Sequence, residues 1–220
     1  MIVGAYLEDG GSDDPLPAAG AAYIFQRNLG GADEWVEVEK LVASDTGAVD
    51  YFGNSVAISG DVAVVGADRE DGGPGDPTED AGAAYVFANP GGTGWMEIRK
   101  LTAGDAEEKD FFGQSVAVSG GVILVGAKLE DGGPGAPLVN AGAAYVFLQN
   151  LGGSNVWGQA GRLVAPDAQP GDFFGRSVAL SGRNAVFGAS GEDGGSGDPL
   201  ADAGAAYVFS VSFLGAFRAD

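Results

Sequence analysis

The 220-residue sequence predicts an all-β repeat protein that contains about four copies of one four-stranded unit. Forty glycines without a triplet period indicate many tight turns between short strands. A hydrophobic content of 45% suffices to bury a core, which argues against a disordered chain. The strongest observation is internal repetition, because several short signatures recur in one fixed order along the whole chain.

Three signatures define the repeat. The segment Phe-Gly-x-Ser-Val-Ala begins at Phe52, Phe112 and Phe174. A Val-Gly-Ala type signature recurs at steps of 62, 60 and 62 residues, with its glycine at Gly4, Gly66, Gly126 and Gly188. A Gly-Ala-Ala-Tyr-Val-Phe type signature keeps the same steps and starts at Gly20, Gly82, Gly142 and Gly204. We therefore divide the chain into units at 1–44, 45–104, 105–166 and 167–220, of which the first lacks the opening signature.

The third unit shows the predicted strands most clearly, at 115–119, 122–127, 143–148 and 156–164. The first three are almost continuously apolar, which is typical of strands covered on both faces. The fourth is an alternating, half-exposed strand, as in the first unit where Val36 and Val38 flank Glu37. Ser-Gly pairs supply the turn between the first two strands. An antiparallel up-and-down sheet with buried inner strands and a solvent-exposed outer strand is typical of a β-propeller blade.

These signatures, together with a Trp-x-Glu-x-x-Lys-Leu strand at 35–41 and 95–101, resemble the FG-GAP repeats of bacterial surface proteins, which are related to the integrin α-chain head. The resemblance covers essentially the whole chain. It implies a β-propeller, commonly of seven blades, that acts in adhesion or protein recognition outside the cell or at its surface. With about four blades, this chain leaves three alternatives: a compact ring, an open fragment of a larger propeller, or a chain that completes its sheets with another copy.

Charge and composition exclude several partners and chemistries. With 11 basic and 31 acidic residues, the net charge of −20 repels nucleic-acid phosphate and anionic membrane surfaces. No apolar stretch reaches the ~20 residues that span a bilayer, and Met1 is not followed by a signal peptide pattern. We therefore expect no nucleic-acid partner and no membrane insertion. Because the chain has neither cysteine nor histidine, Cys-His and Ser-His nucleophilic catalysis are excluded.

We predict a binding or assembly module that is not an enzyme, because pseudo-equivalent repeats normally build a scaffold. Two alternatives stay open. A carboxylate-based glycoside hydrolase would use the abundant acids. A lectin-like propeller would need exposed aromatic residues beside the acidic loops, and the sequence shows few of them there.

The parity of the strands places most of the acidic residues on one side of the array. The loop between the second and third strands of each unit and the connection to the next unit open on that same side. We predict that this acidic face docks cations or a basic protein, because functional residues sit preferentially on loops held by a rigid scaffold. A merely solvated face is the competing interpretation. The predicted partner-binding residues open the Glu-Asp-Gly-Gly loops: Glu8, Asp9, Glu70, Asp71, Glu130, Asp131, Glu192 and Asp193.

Calcium is the cofactor that these loops could attract, because it takes six to eight oxygen ligands. The calcium-binding members of the resembling family carry an Asp-x-Asp-x-Asp-Gly loop, an alternation that this chain lacks. We therefore predict no cofactor and no tight calcium site, with weak calcium binding as the alternative. The candidate metal ligands are Glu70, Asp71, Asp76, Asp80, Glu192, Asp193, Asp198 and Asp202.

The same carboxylates also have a structural interpretation, which we favour. The second acid of each loop is expected to accept backbone hydrogen bonds and fix a glycine turn. Asp50, Asp110 and Asp172 are expected to order the chain before each inner strand. Phe52, Phe112 and Phe174 are expected to pack between blades.

The number of strands in the first unit predicts self-association. The first unit begins at its second strand, so its inner position has no sequential occupant, and such an edge invites a strand from another chain. We predict a homo-oligomer or a head-to-tail filament formed by strand complementation. The residues expected to take part are Ile2 and Val3 at the open edge and Val211, Phe213, Leu214 and Phe217 in an apolar donor segment.

Overall fold

The computed structural model describes residues 1–9, 16–71, 78–132, 138–194, 202–211 and 217–219. In these ranges the chain is built almost entirely from β-strands, with a 3₁₀ turn at Pro90–Gly92. The strands form four antiparallel sheets, and strands adjacent in sequence are hydrogen-bonded neighbours in each sheet. No helix within the described ranges has the length and apolar character needed to cross a membrane.

The first sheet has three strands, and each of the others has four. Blade one contains β1 (Ile2–Ala5), β2 (Ala21–Arg27) and β3 (Trp35–Leu41). Blade two contains β4 (Ser55–Ser59), β5 (Val62–Ala67), β6 (Ala83–Ala88) and β7 (Met96–Leu101). Blade three contains β8 (Phe112–Ser119), β9 (Val122–Ala127), β10 (Ala143–Gln149) and β11 (Trp157–Leu163). Blade four contains β12 (Phe174–Ser181), β13 (Asn184–Ala189), β14 (Ala205–Val211) and β15 (Phe217–Ala219).

This architecture confirms the predicted fold class, including the incomplete first blade. Four predicted strand ends in the third unit differ from the observed ones, three of them by one residue; the largest difference is at β8, which starts three residues before the predicted strand. Phe112 pairs with Ala127, and a register shift between Phe112 and Ser115 follows. A bulge of this kind hides the start of a strand from a pattern search, because it interrupts the alternation of side chains.

The core lies between successive blades, as predicted. Phe112 packs edge to face on Tyr145 and Phe147 of its own blade, with ring centroids 5.4 and 6.0 Å apart. This aromatic face covers Val64 and Val86 of the preceding blade. Phe52 and Phe174 occupy the equivalent positions at the other two junctions. Each blade therefore presents an aromatic face to its predecessor and an aliphatic face to its successor.

A close backbone contact fixes the spacing of the blades. A Cβ added at Gly126 would lie 2.9 Å from the carbonyl carbon of Gly175 in the next blade, so this position admits only glycine without a shift. Ser115 Oγ donates to the carbonyl oxygen of Gly175 at 2.7 Å. The same pair of interactions joins blades two and three. We call this arrangement the glycine–serine joint.

The four sheets form an open array. The inner strands β4, β8 and β12 contact one another in succession, and β1 contacts β4. Within the part of the chain that the structure describes, the fourth sheet does not close onto the first. Of the three alternatives left by the sequence, a compact closed ring is therefore not what the chain forms on its own.

The predicted donor segment pairs inside its own blade. Phe217–Ala219 forms the outer strand of the fourth sheet, where Phe217 pairs with Val211. Residues 210–219 lack the Trp-x-Glu pattern of β3 and β7, yet an outer strand forms there, because backbone pairing with β14 needs no particular side chain. Phe213 and Leu214 lie outside the described residues. Donation of this segment to the open edge at Ile2 and Val3 of another copy stays a prediction.

Candidate protein-binding face

The loops between the second and third strands lie on the same side of the array as the connections between blades. Lys109 N, in a connection, donates to Glu79 O in the preceding loop at 2.9 Å. Val49 N donates to Pro17 O at 2.8 Å at the previous junction. These bonds repeat from blade to blade, so the predicted acidic face is a continuous, backbone-braced surface.

The second acid of each Glu-Asp-Gly-Gly loop closes that loop. Asp71 Oδ1 accepts a hydrogen bond from Asp80 N at 2.8 Å, nine residues along the chain. The other three blades repeat the bond with Ala18 N to Asp9, Asn140 N to Asp131 and Asp202 N to Asp193, each at 2.7 Å. The four aspartates therefore accept backbone hydrogen bonds, as the structural interpretation expected.

The first acid of the loop is buried in three of the four blades. Glu70, Glu130 and Glu192 are at most 4% exposed. We expected these glutamates on the partner-binding surface, and the structure corrects that expectation. Their carboxylates lie inside the blade, so they contribute to the field of the face without touching a docked protein.

A cation from the outer strand neutralises each buried glutamate in blades two and three. Lys100 Nζ lies 2.8 Å from both Glu70 Oε1 and Asp45 Oδ2. Burial acts to raise the pKa of Asp45, but hydrogen bonds from Lys100 and Tyr85 hold that pKa below its usual value. Burial acts to lower the pKa of Lys100, but hydrogen bonds to Asp45 and Glu70 outweigh burial and raise that pKa. In blade three, Arg162 contacts Glu130 and lies 3.6 Å from Asp105.

The first and last blades differ from this scheme. Lys40 lies 3.0 Å from Glu8, whose side chain is partly accessible in the blade that has no inner strand. In blade four, Tyr207 donates to Asp167 at 2.8 Å, and none of the side chains that the structure describes forms an ion pair with Glu192.

The aspartate before each Phe-Gly segment is also internal. Asp50 accepts a hydrogen bond from Gly47 N at 2.6 Å, and Asp110 accepts one from Glu107 N at 2.8 Å. Despite these bonds, burial raises the pKa of Asp50 to about 6 and that of Asp110 to about 7. Burial raises the pKa of Asp172 in the same way. These groups order the inner strands, as predicted, and the pKa of each is raised by burial.

The accessible part of the face therefore overlaps the predicted partner-binding set only in part, since Asp9 and Asp71 are the members of that set that are fully exposed. The exposed carboxylates there are Asp9, Asp71, Glu79, Glu108, Asp167 and Asp202. Asp80, Asp131 and Asp193 are partly exposed, whereas Asp76 and Asp198 lie outside the described residues. The sequence places Glu79, Glu108 and Asp167 on the same face, but the predicted partner-binding set was centred on the Glu-Asp-Gly-Gly motif and did not include them. A repeated basic residue in the outer strands, at Lys40, Lys100 and Arg162, was the available sign that the motif glutamates are paired internally.

Aromatic rings beside the face are covered by cations. The Arg69 guanidinium lies 4.9 Å from the ring centroid of Tyr51 and 5.4 Å from that of Phe111. Lys128 Nζ lies 5.2 Å from the Phe111 centroid on the same side. These rings are therefore engaged by the chain's own side chains. Among the described residues, no group of three or more carboxylates is arranged to hold a metal ion.

Comparisons with known proteins agree with the repeat pattern. A family model described as FG-GAP repeat matches three consecutive segments, at residues 35–87, 95–147 and 157–209. Each match begins at an outer strand and ends in the third strand of the following blade. A search of curated proteins found no match.

Proposed function

Because this chain belongs to the FG-GAP repeat family, we propose that it is an extracellular, non-enzymatic scaffold that binds a basic protein through its acidic face. FG-GAP repeats are β-propeller repeats of the protein-interaction and adhesion type. The family is typically extracellular and generally non-enzymatic. The partner chemistry proposed for this chain rests on its own charges.

The observation that carries the proposal is the one-sided exposure of carboxylates on a braced surface. Glu79 and Glu108 are exposed on segments that hydrogen bonds tie to neighbouring blades, and Asp202 is exposed in the corresponding loop of blade four. The buried glutamates beneath them are neutralised in blades two and three, so the exposed carboxylates dominate the local field, with Lys109 lying 3.6 Å from Glu79 as a partial offset. Clustered charge of one sign raises the association rate with an oppositely charged partner and selects against acidic ones.

The test compares two triple variants that remove the same number of charges. The face variant neutralises the acidic face while keeping each residue's size, with Glu79→Gln, Glu108→Gln and Asp202→Asn. The control variant neutralises the outer strand of blade one and the turn before it, with Glu34→Gln, Glu37→Gln and Glu39→Gln. Binding of a fluorescent lysine-rich peptide is measured by anisotropy at two salt concentrations.

We expect the face variant to weaken binding several times more than the control, because charges act mainly within the ~8 Å Debye length of physiological salt. Equal weakening by both variants would show that the peptide senses only net charge. That result would remove the proposed site and leave a solvated acidic surface.

We also propose self-association at the open edge of the first blade. The strand β1 has a hydrogen-bonded neighbour on one side only, and Val3 is exposed beside it. Unpaired backbone groups next to apolar surface favour strand addition. Light scattering tests this: the native chain should show a mass above that of one 22.0 kDa chain, and Val3→Lys should lower it. A mass of one chain at all concentrations contradicts the proposal.

A further inference from the structure

A cleft lies between blades two and three on the side of the array opposite the acidic face. In an up-and-down sheet, the turn between the first two strands and the loop between the last two open on that side. The cleft has a volume of about 330 Å³, which is within the range of small-ligand sites. Blade two contributes Asp61, Val62, Ala88 and Ile98 to its lining, and blade three contributes Gln149 and Asn155. We call it the turn-side cleft.

This junction departs from the repeat in two ways. The residue after the Ser-Gly turn is Asp61 in blade two, whereas blades three and four have Gly121 and Arg183 there. The loop between the last two strands covers 88–94 in blade two and 148–156 in blade three, where it is two residues longer. Repeated residues build the scaffold, so residues that break the repeat are where a specific binding function is expected.

Three side chains offer unused oxygen atoms to the cleft. Asp61, Gln149 and Asn155 are exposed, and none of their side chains makes a hydrogen bond or an ion pair with any residue that the structure describes. Their backbones are held in place, since Asn89 N donates to Asp61 O and Gln149 N donates to Gly121 O, both at 2.9 Å. Among the described residues that line the cleft, Asp61 alone is charged.

The floor of the cleft is aliphatic. It is formed by Val62, Ala88 and Ile98, and Ile98 is 41% exposed. No aromatic ring is present among the lining residues that the structure describes, which argues against the lectin-like alternative at this place. An aliphatic floor beside a carboxylate and two carboxamides suits a ligand with an apolar stem and a cationic end. An ammonium group has three N–H donors, and three side chains here have free acceptor oxygens.

We propose that the turn-side cleft binds the side chain of a lysine from a protein partner. The methylene groups of the lysine pack on Val62 and Ile98. Its ammonium donates to the carboxylate of Asp61 and to the carboxamide oxygens of Gln149 and Asn155. Because these three side chains are exposed, the cleft is open to solvent and admits a lysine that is still attached to its backbone. The net charge of −20 favours the approach of such a partner.

The test is an NMR titration of the isotope-labelled chain with Nα-acetyl-lysine methylamide, whose ammonium is its only charge. Amide chemical shifts report where the probe binds. Binding in the cleft changes the signals of Val62, Ile98 and Gln149, whereas binding at the acidic face changes those of Glu79 and Glu108. The outcome is therefore independent of the peptide experiment on the acidic face. A second titration uses Nα-acetyl-norleucine methylamide, which has the same unbranched stem without the ammonium.

Two variants that each remove one charge separate the cleft from the general field of the chain. Asp61→Asn keeps the size of the side chain, and Glu34→Gln is the matched control, an exposed acid in a loop on the same side of blade one. We expect Asp61→Asn to weaken binding of the lysine probe about fivefold, the upper range for an accessible ion pair, and Glu34→Gln to leave it unchanged. Asn155→Asp adds a second carboxylate and should tighten binding by a similar factor. The φ of Asn155 is 60°, a conformation that aspartate also adopts.

Three results would overturn the inference. Chemical shift changes that omit the cleft would show that it does not hold an ammonium. Equal affinity for the norleucine probe would show that the apolar stem alone is bound. Equal weakening by Asp61→Asn and Glu34→Gln would show that the probe senses only the net charge of the chain.

Discussion

Replacing Gly126 by alanine should separate blades three and four. The new Cβ would lie 2.9 Å from the carbonyl carbon of Gly175, and closer still to its oxygen. Ordinary contacts of a Cβ begin at 3.4 Å, so one backbone has to move by more than half an ångström. Both partners are strands in packed sheets, with no flexible side chain to rotate away. We therefore expect a loss of about 3 kcal/mol in the free energy of unfolding, the upper range for overpacking.

Gly188→Ala is the matched control, because Gly188 has the same place in blade four but faces no further backbone. Its Cβ would meet Ser177 Oγ, which can rotate, and otherwise only Ser177 Cβ at 3.7 Å. We expect a change of about 1 kcal/mol or less, within the usual range for accessible sites. Urea unfolding is followed by the fluorescence of Trp157, which is buried in blade three.

The informative quantity is the difference between the two variants in the free energy of unfolding that each one loses. Both substitutions add the same methyl group to the same strand position, so effects on the unfolded chain cancel. If Gly126→Ala and Gly188→Ala lose equal stability, or if Gly126→Ala loses less than Gly188→Ala, the glycine–serine joint does not hold the blades together.

Three further predictions concern the carboxylates. The raised pKa of Asp110 means that the folded chain binds this proton more tightly, so stability falls as pH rises from 5 to 8; Asp110→Asn should flatten that slope in thermal melts. Lys100→Met should cost about 3 kcal/mol by leaving Glu70 buried without its cation, and adding Glu70→Gln should recover most of it in urea titrations. Calcium should bind no tighter than millimolar by calorimetry, since the loops lack alternating acids; micromolar binding would contradict this.

The repeat made the fold predictable. Three or four copies of each signature allowed strands to be assigned by comparison, and the continuous apolar runs around Val125 and Tyr145 correctly indicated strands covered on both faces. The packing role of Phe112 followed from the same comparison. These features depend on residues close in sequence, which is why a single chain sufficed to predict them.

The acidic face was predictable in outline and not in detail. Its location followed from strand parity, but the burial of Glu70 did not. A glutamate in a glycine-rich loop has the pattern of a solvated residue, and its partner Lys100 stands thirty positions later on another strand. That pair is brought together by the register of Tyr85 with Lys100, which depends on the bulge between Val86 and Phe87. Long-range register of this kind leaves little trace in one sequence.

The internal neutralisation of Glu70 and Glu130 has a consequence for how the blades open. The cation beside each glutamate comes from the outer strand of the same blade, Lys100 in blade two and Arg162 in blade three. If an outer strand separated alone, its blade would keep a buried carboxylate without the cation, which is costly. Blades two and three should therefore open as whole sheets, with hydrogen exchange as slow in their outer strands as in the strands beside them.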